Sequence, residues 1–170
     1  SMSKSKKNTI DPEKIIKNYG ADAVRLFILS DSPPEKDVQW SEEGIASSHK
    51  FIQKIWVLHL DIMKQISKNY SSETEDKLTQ YTNKFIKKIS HNLESFSYNI
   101  IVANIHEMHS FLSKEIKQKY SQTTLINNYK KILITLIPII PHLAYEALNK
   151  INQSKEIIWP TYDESLLIEK

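Results

Sequence analysis

Residues 41–68 read SEEGIASSHKFIQKIWVLHLDIMKQISK. From Ser41 onward, Ile45, Ile52, Ile55, His59, Ile62, Met63 and Ile66 follow the period of one helix face. Three further stripes continue the pattern. Leu78, Tyr81, Phe85, Ile89, Leu93 and Phe96 make the second, and Ile101, Ile105, Met108, Leu112 and Ile116 the third. Leu125, Tyr129, Leu133, Leu136 and Ile137 make the fourth. The intervals 69–74, 95–99 and 119–123 are rich in polar turn formers, and Ser71-Ser72-Glu73 reads as a plain linker. Four long stripes with short links predict an all-α fold, an up-down helical bundle. Amphipathic helices are marginal alone in water, so each stripe must be hidden against the others. The fourth helix is interrupted. Pro138 and Pro141 each remove a backbone donor and clash with the preceding turn, which predicts a kink and a new helix from near Pro141 to about Ile151.

Shorter elements flank the bundle. Asp11-Pro12-Glu13 combines an N-cap, a proline at the first helical position and an acid in the first turn. A helix is expected from there to about Tyr19, stopped by Gly20. A second short helix fits Asp22 to Leu29, with Ala23, Leu26 and Phe27 on one face. Ser30 to Asp37, with Pro33-Pro34, reads as a loop. Ile157-Ile158-Trp159-Pro160 is expected to be a short strand or an extended linker.

Composition narrows the function classes. A chain of 170 residues suits one domain, with roughly 70% of its unfolded surface buried. Cysteine is absent, which removes disulfides, thiolate metal sites and cysteine nucleophiles. Gly20 and Gly44 are the only glycines, so no glycine-rich phosphate loop is available. The net charge is +3, and Arg25 is the sole arginine among 23 basic residues. Lysine lacks arginine's planar fork, so phosphate contacts would be mainly Coulombic. The most apolar run, Ile132 to Ile140, is too short to span a bilayer, and the basic N-terminus has no apolar segment behind it. A cytoplasmic protein is expected.

Few side chains suggest chemistry. His106-Glu107 with His109 falls short of the metalloprotease spacing, which needs histidines four apart, so a solvated helix face and no metal are expected. His59 reads as a hydrogen-bonded core histidine, His142 as packing or capping, and Trp40 and Trp56 as core or boundary residues. Arg25 is expected to form an ion pair between the short helix and the bundle. Lysines recur on outer faces: Lys50, Lys54, Lys64 and Lys68; Lys84, Lys87 and Lys88; Lys114, Lys117 and Lys119. They serve either as a solubilising face or as a track for a phosphate backbone. No residues form a catalytic set on their own.

Met2-Ser3-Lys4-Ser5-Lys6-Lys7-Asn8 resembles the end of the KMSKS loop of class I aminoacyl-tRNA synthetases. Asp11-Pro12 and Tyr19-Gly20-Ala21-Asp22-Ala23-Val24-Arg25-Leu26-Phe27 resemble the stretch after that loop. Residues 32–44, SPPEKDVQWSEEG, are most similar to the bacterial-type leucyl-tRNA synthetases. Phe51, Lys54 and Trp56 resemble the first bundle helix of that family, and Tyr98-Asn99, Ile105 and Glu107-Met108 its third. Pro138-Ile139-Ile140-Pro141-His142 and residues 159–164, WPTYDE, resemble its fourth helix and exit.

The resemblance implies three parts: residues 1–43 as loop end and stem-contact segment, 44–155 as the anticodon-binding helical bundle, and 156–170 as a linker toward a further domain. It implies a parent enzyme that uses ATP with magnesium to form leucyl-adenylate and then passes leucine to tRNA(Leu). Lys4 matches the loop's second lysine and would stabilise charge developing on the phosphates, with Met2, Ser3 and Ser5 completing the ATP-binding remnant. Ser1 stands where the family has the loop's first lysine. The catalytic and editing domains would lie upstream, so the chain is expected to be an inactive, monomeric, tRNA-binding piece. His49, Lys50 and Lys54 are the candidate RNA contacts. The alternatives are a protein-interaction bundle without catalysis, and the equivalent domain of a methionine, valine or isoleucine enzyme.

Overall fold

The computed structural model describes residues 2–31, 33–70, 77–151 and 156–167. In chain order its helices are α1 (Pro12–Tyr19), α2 (Ala21–Asp31), α3 (Glu42–Lys68), α4 (Lys77–Glu94), α5 (Tyr98–Glu115), α6 (Gln122–Leu136) and α7 (Pro141–Ile151). Short 3₁₀ turns cover Lys4–Lys6 and Glu164–Leu167. The long helix α3 begins where Ser41 Oγ accepts from Gly44 N at 3.1 Å, with Glu42 and Glu43 complementing the dipole of the first turn. It ends at Asn69, in the left-handed conformation at φ 47°. The linker expected at Ser71-Ser72-Glu73 lies outside the described residues.

The stripes meet as the bundle reading requires. α3 packs on α5 and α6, and α4 packs on the same two helices. Ile45, Ile62, Ile86, Ile89, Ile101, Ile105, Met108, Ile132 and Leu133 have at most 2% of their surface exposed. Full burial of such a side chain contributes about 1.5–3 kcal/mol, so this core dominates the stability. Its polar members are paired. His59 Nδ1 lies 2.7 Å from Tyr129 Oη, as expected for a bonded core histidine, and burial holds its pKa below the ordinary value. Asn92 Nδ2 donates to Asn104 Oδ1 at 3.0 Å between α4 and α5, and Asn128 Nδ2 donates to Thr79 Oγ1 at 3.0 Å between α6 and α4.

The chain breaks between α6 and α7 at residues 137–140, and Pro141 opens the new helix as expected. α1 is capped by Asp11 and ends at Gly20, whose φ of 85° suits glycine. Gly44 has a different task. A Cβ there would meet Phe27 Cε2 at 2.5 Å, so the missing side chain lets α2 seat its phenyl ring against α3.

Two expectations need correction. α2 runs to Asp31 rather than Leu29, so Ser30 and Asp31 are helical and not loop; the Ser30 hydroxyl bonds back to Phe27 O at 2.9 Å inside the helix. Phe96 is not part of the second stripe. It lies past the end of α4 with 62% of its surface exposed and φ of 54°. At 157–160 the second of the two expected alternatives holds, an extended linker, and no strand forms among the described residues. That segment is extended and pinned to α4, where Trp159 Nε1 donates to Ser90 Oγ at 3.0 Å.

Candidate nucleic-acid interface

Residues 2–8 form a tight cationic turn. Ser3 Oγ accepts from Lys6 N at 3.2 Å and shares a 2.7 Å hydrogen bond with Ser5 Oγ, while Ser3 N donates to Asn8 Oδ1 at 2.8 Å. Lys7 turns the chain in the left-handed region at φ 51°. Met2, Lys4 and Ser5 are exposed, and Ser3 is half-buried. The serines thus shape the turn while Lys4, Lys6 and Lys7 extend into solvent. Three ammonium groups with no acidic side chain in the turn suit a polyphosphate.

The second cationic surface lies across α3 and α5. Lys50 and Lys54 are one turn apart on α3, both exposed, and among the described residues neither pairs with a carboxylate. Facing them on α5 are His106 and His109. The His106 ring stacks on Phe51 with centroids 3.7 Å apart, and His109 meets the same phenyl edge-on at 5.8 Å. His106 and Glu107 are exposed and His109 half-buried, in keeping with a solvated face, while both histidine rings also pack on Phe51 of the neighbouring helix. Burial lowers the pKa of both; the charge of Lys54 pushes the same way, and at His109 a backbone hydrogen bond with Lys54 opposes it. No group of three side chains suited to a metal occurs among the described residues.

His49 sits apart from this pair. Its Nδ1–H donates to Tyr19 O at 2.9 Å, and its ring meets the Tyr19 ring edge-on at 5.9 Å. It ties the end of α1 to α3 and lines a different groove, of about 840 Å³, with Trp56, Val57 and His142. The structure thus brings Lys50 and Lys54 together, separates His49 from them, and adds His106 and His109. The sequence singles out that pair only as a metal-like motif; its place beside Lys50 and Lys54 depends on which face of α5 meets α3.

α2 ties α1 to the bundle, packing on α3, α5 and α7. Asp22, 6% exposed, accepts from the His142 and Leu143 amides at 3.1 and 2.7 Å and so caps α7. Arg25 Nε donates to Ile139 O at 3.1 Å, and Nη2 donates to Pro138 O. Arg25 therefore binds peptide carbonyls at the helix break and does not form the expected ion pair. His142 takes part through its capped backbone.

Residues 75–170 match the family described as the anticodon-binding domain of tRNA ligase. The chain belongs to the anticodon-binding domain family of tRNA ligases. Ahead of this domain, residues 1–41 match the tRNA synthetases class I (I, L, M and V). Relatives of this chain include the leucine–tRNA ligases of Bartonella tribocorum, 35% identical, and Wolbachia pipientis, 41% identical, each over 99% of the chain. The chain spans about one fifth of the length of these curated relatives, 20% and 21%. The leucine-specific resemblance is thereby borne out over essentially the whole sequence. In fold, the chain is similar to LeuRS in a solved ternary complex of Agrobacterium radiobacter K84 agnB2 LeuRS with tRNA and LeuAMS, with a TM-score of 0.83 and 22% identity over 98% of this chain and 23% of that one.

Proposed function

We propose that the chain is the tRNA-docking part of a leucine–tRNA ligase acting in translation. Residues 1–43 carry the loop end and stem-contact segment, 44–155 the helical bundle, and 156–170 the linker beyond it. The observation that carries the reading is a likeness to leucine–tRNA ligases over 99% of the chain. The unpaired lysines on α3 support it physically. Phosphate contacts position an RNA, and Lys50 and Lys54, which have no carboxylate partner among the described residues, are suited to that task. Likeness to leucine–tRNA ligases also favours this reading over a methionine, valine or isoleucine enzyme.

Lys4 is the loop lysine that meets the phosphates of ATP, with Met2, Ser3 and Ser5 shaping the turn that presents it. When bound, ATP with magnesium supplies the adenylyl group that activates leucine before its transfer to tRNA(Leu). The bundle's share is to hold the tRNA body, through Lys50 and Lys54 with His49 at the flank. No described helix is long and apolar enough to cross a membrane, and the proposed protein works as a cytoplasmic monomer.

A gel-shift titration tests this reading. The chain is expected to retard leucine-acceptor tRNA at low salt, more weakly at moderate salt, and in preference to tRNA of another acceptor class. Absence of any complex at low salt would favour the protein-interaction bundle instead.

A further inference from the structure

We propose that the groove between α3 and α5 is a phosphodiester-binding site in which His106 and His109 take up protons as RNA docks beside Lys50 and Lys54. The proposal rests on the tRNA reading above and adds a linked protonation to it.

The groove has a volume of about 420 Å³. Lys50 and Lys54 line one wall and His106 and His109 the other, with the Ser47 and Ser110 hydroxyls exposed at its margins. No carboxylate lines it. The acids on surrounding elements are committed elsewhere. Glu107 of α5 pairs with Lys88 of α4 at 3.3 Å, and Asp61 of α3 sits 4.0 Å from Lys64. Asp22 and Arg25 of α2 are bound at the α6–α7 break. Four groups able to carry positive charge thus converge in a groove lined by no carboxylate, a recurrent setting for anions; Asp61 lines the adjoining groove beside Lys50, Lys54 and His109.

The histidines differ from the lysines because their charge is conditional. Phe51 holds both rings in place, so little rotamer freedom is lost when they engage a ligand. In the free protein partial burial holds both imidazole pKa values below the ordinary value; at His106 the charges of His109 and Lys54 add to it, and at His109 a backbone hydrogen bond with Lys54 opposes it. A phosphodiester bound between the walls reverses that local balance, since an opposite charge within about 4–6 Å favours the ionised form. An imidazolium stacked on Phe51 gains cation–π attraction as well. The bound-state pKa of each ring therefore lies above its free-state pKa. Binding is strongest below the free-state pKa and weakens as pH rises through the bound-state pKa. Between the two, each linked proton changes affinity by about tenfold per pH unit.

The test uses leucine-acceptor tRNA, the whole chain and a constant ionic strength between pH 7.5 and 6. Affinity is expected to rise by about tenfold or more in the parent over that interval, and by less than about threefold in a His106→Gln, His109→Gln double variant. Calorimetry in two buffers of different ionisation enthalpy should show about one to two protons taken up per tRNA bound by the parent. Binding of tRNA with no proton uptake overturns the proposal and leaves the tRNA reading standing. Failure of tRNA to bind at any pH overturns both. Inorganic phosphate, at the concentration of tRNA phosphates, should leave the His106 and His109 imidazole signals in place. If it shifts them as far as tRNA does, the site belongs to free phosphate and the assignment to RNA fails. Should the double variant unfold, the parent's proton uptake decides the matter alone.

Discussion

Asp22 and Arg25 stand one turn apart on α2 and meet opposite poles of the same broken helix. The carboxylate takes the amides that open α7, and the guanidinium takes the carbonyls that α6 leaves behind. Each charge thus complements the helix dipole it faces. Removing the carboxylate strands two amide donors, the buried one of Leu143 and the part-buried one of His142. Asp22→Ala should therefore lower stability by about 1.5–3 kcal/mol, the range for hydrogen bonds to charged groups. Urea denaturation checks this, and a loss below about 0.5 kcal/mol would mean that water replaces the cap. Some of this was legible in the sequence. His59 could be placed in the core because it falls on an apolar stripe. Arg25 could be singled out as the sole arginine, but its partners are peptide carbonyls, and these become available only after tertiary packing brings the break beside α2.

Element boundaries were readable wherever a residue's own chemistry set them. Asp11-Pro12 starts α1, Gly20 stops it, and the prolines divide α6 from α7. Phe96 is the instructive exception. It continues the period of the α4 stripe, yet α4 ends at Glu94 in a Schellman-type turn, with Ser97 N bonded to Asn92 O at 2.8 Å and Phe96 N to Leu93 O at 3.1 Å. That turn needs a residue at positive φ, where glycine is favoured and a bulky side chain is strained. Hydrophobic period carries no mark of such a turn when glycine is missing from it. Phe96→Gly should stabilise the chain by about 0.5–1 kcal/mol, because relief of left-handed strain outweighs the added backbone entropy of glycine and the lost edge contact with Tyr98. Thermal unfolding reads the difference, and a fall in Tm would show that the phenyl ring supports the turn.

At the scale of the whole molecule, the all-α bundle was legible because four stripes of helical period leave no other way to hide so much apolar surface. The candidate interface was legible only in part. Lys50 and Lys54 share a helix face by spacing alone, whereas their nearness to His106 and His109 depends on how α5 rotates against α3. His49, adjacent in sequence, turns instead toward Tyr19. The central claim is that the α3 lysines meet the phosphates of tRNA, and the salt dependence of binding tests it most directly. Each phosphate neutralised contributes about 0.7–0.9 to the slope of log affinity against log salt. For Lys50→Ala combined with Lys54→Ala, that slope should fall by about 1–2 units with the circular dichroism spectrum unchanged. An unchanged slope in a folded double variant would contradict the account and make this lysine face a solvated surface.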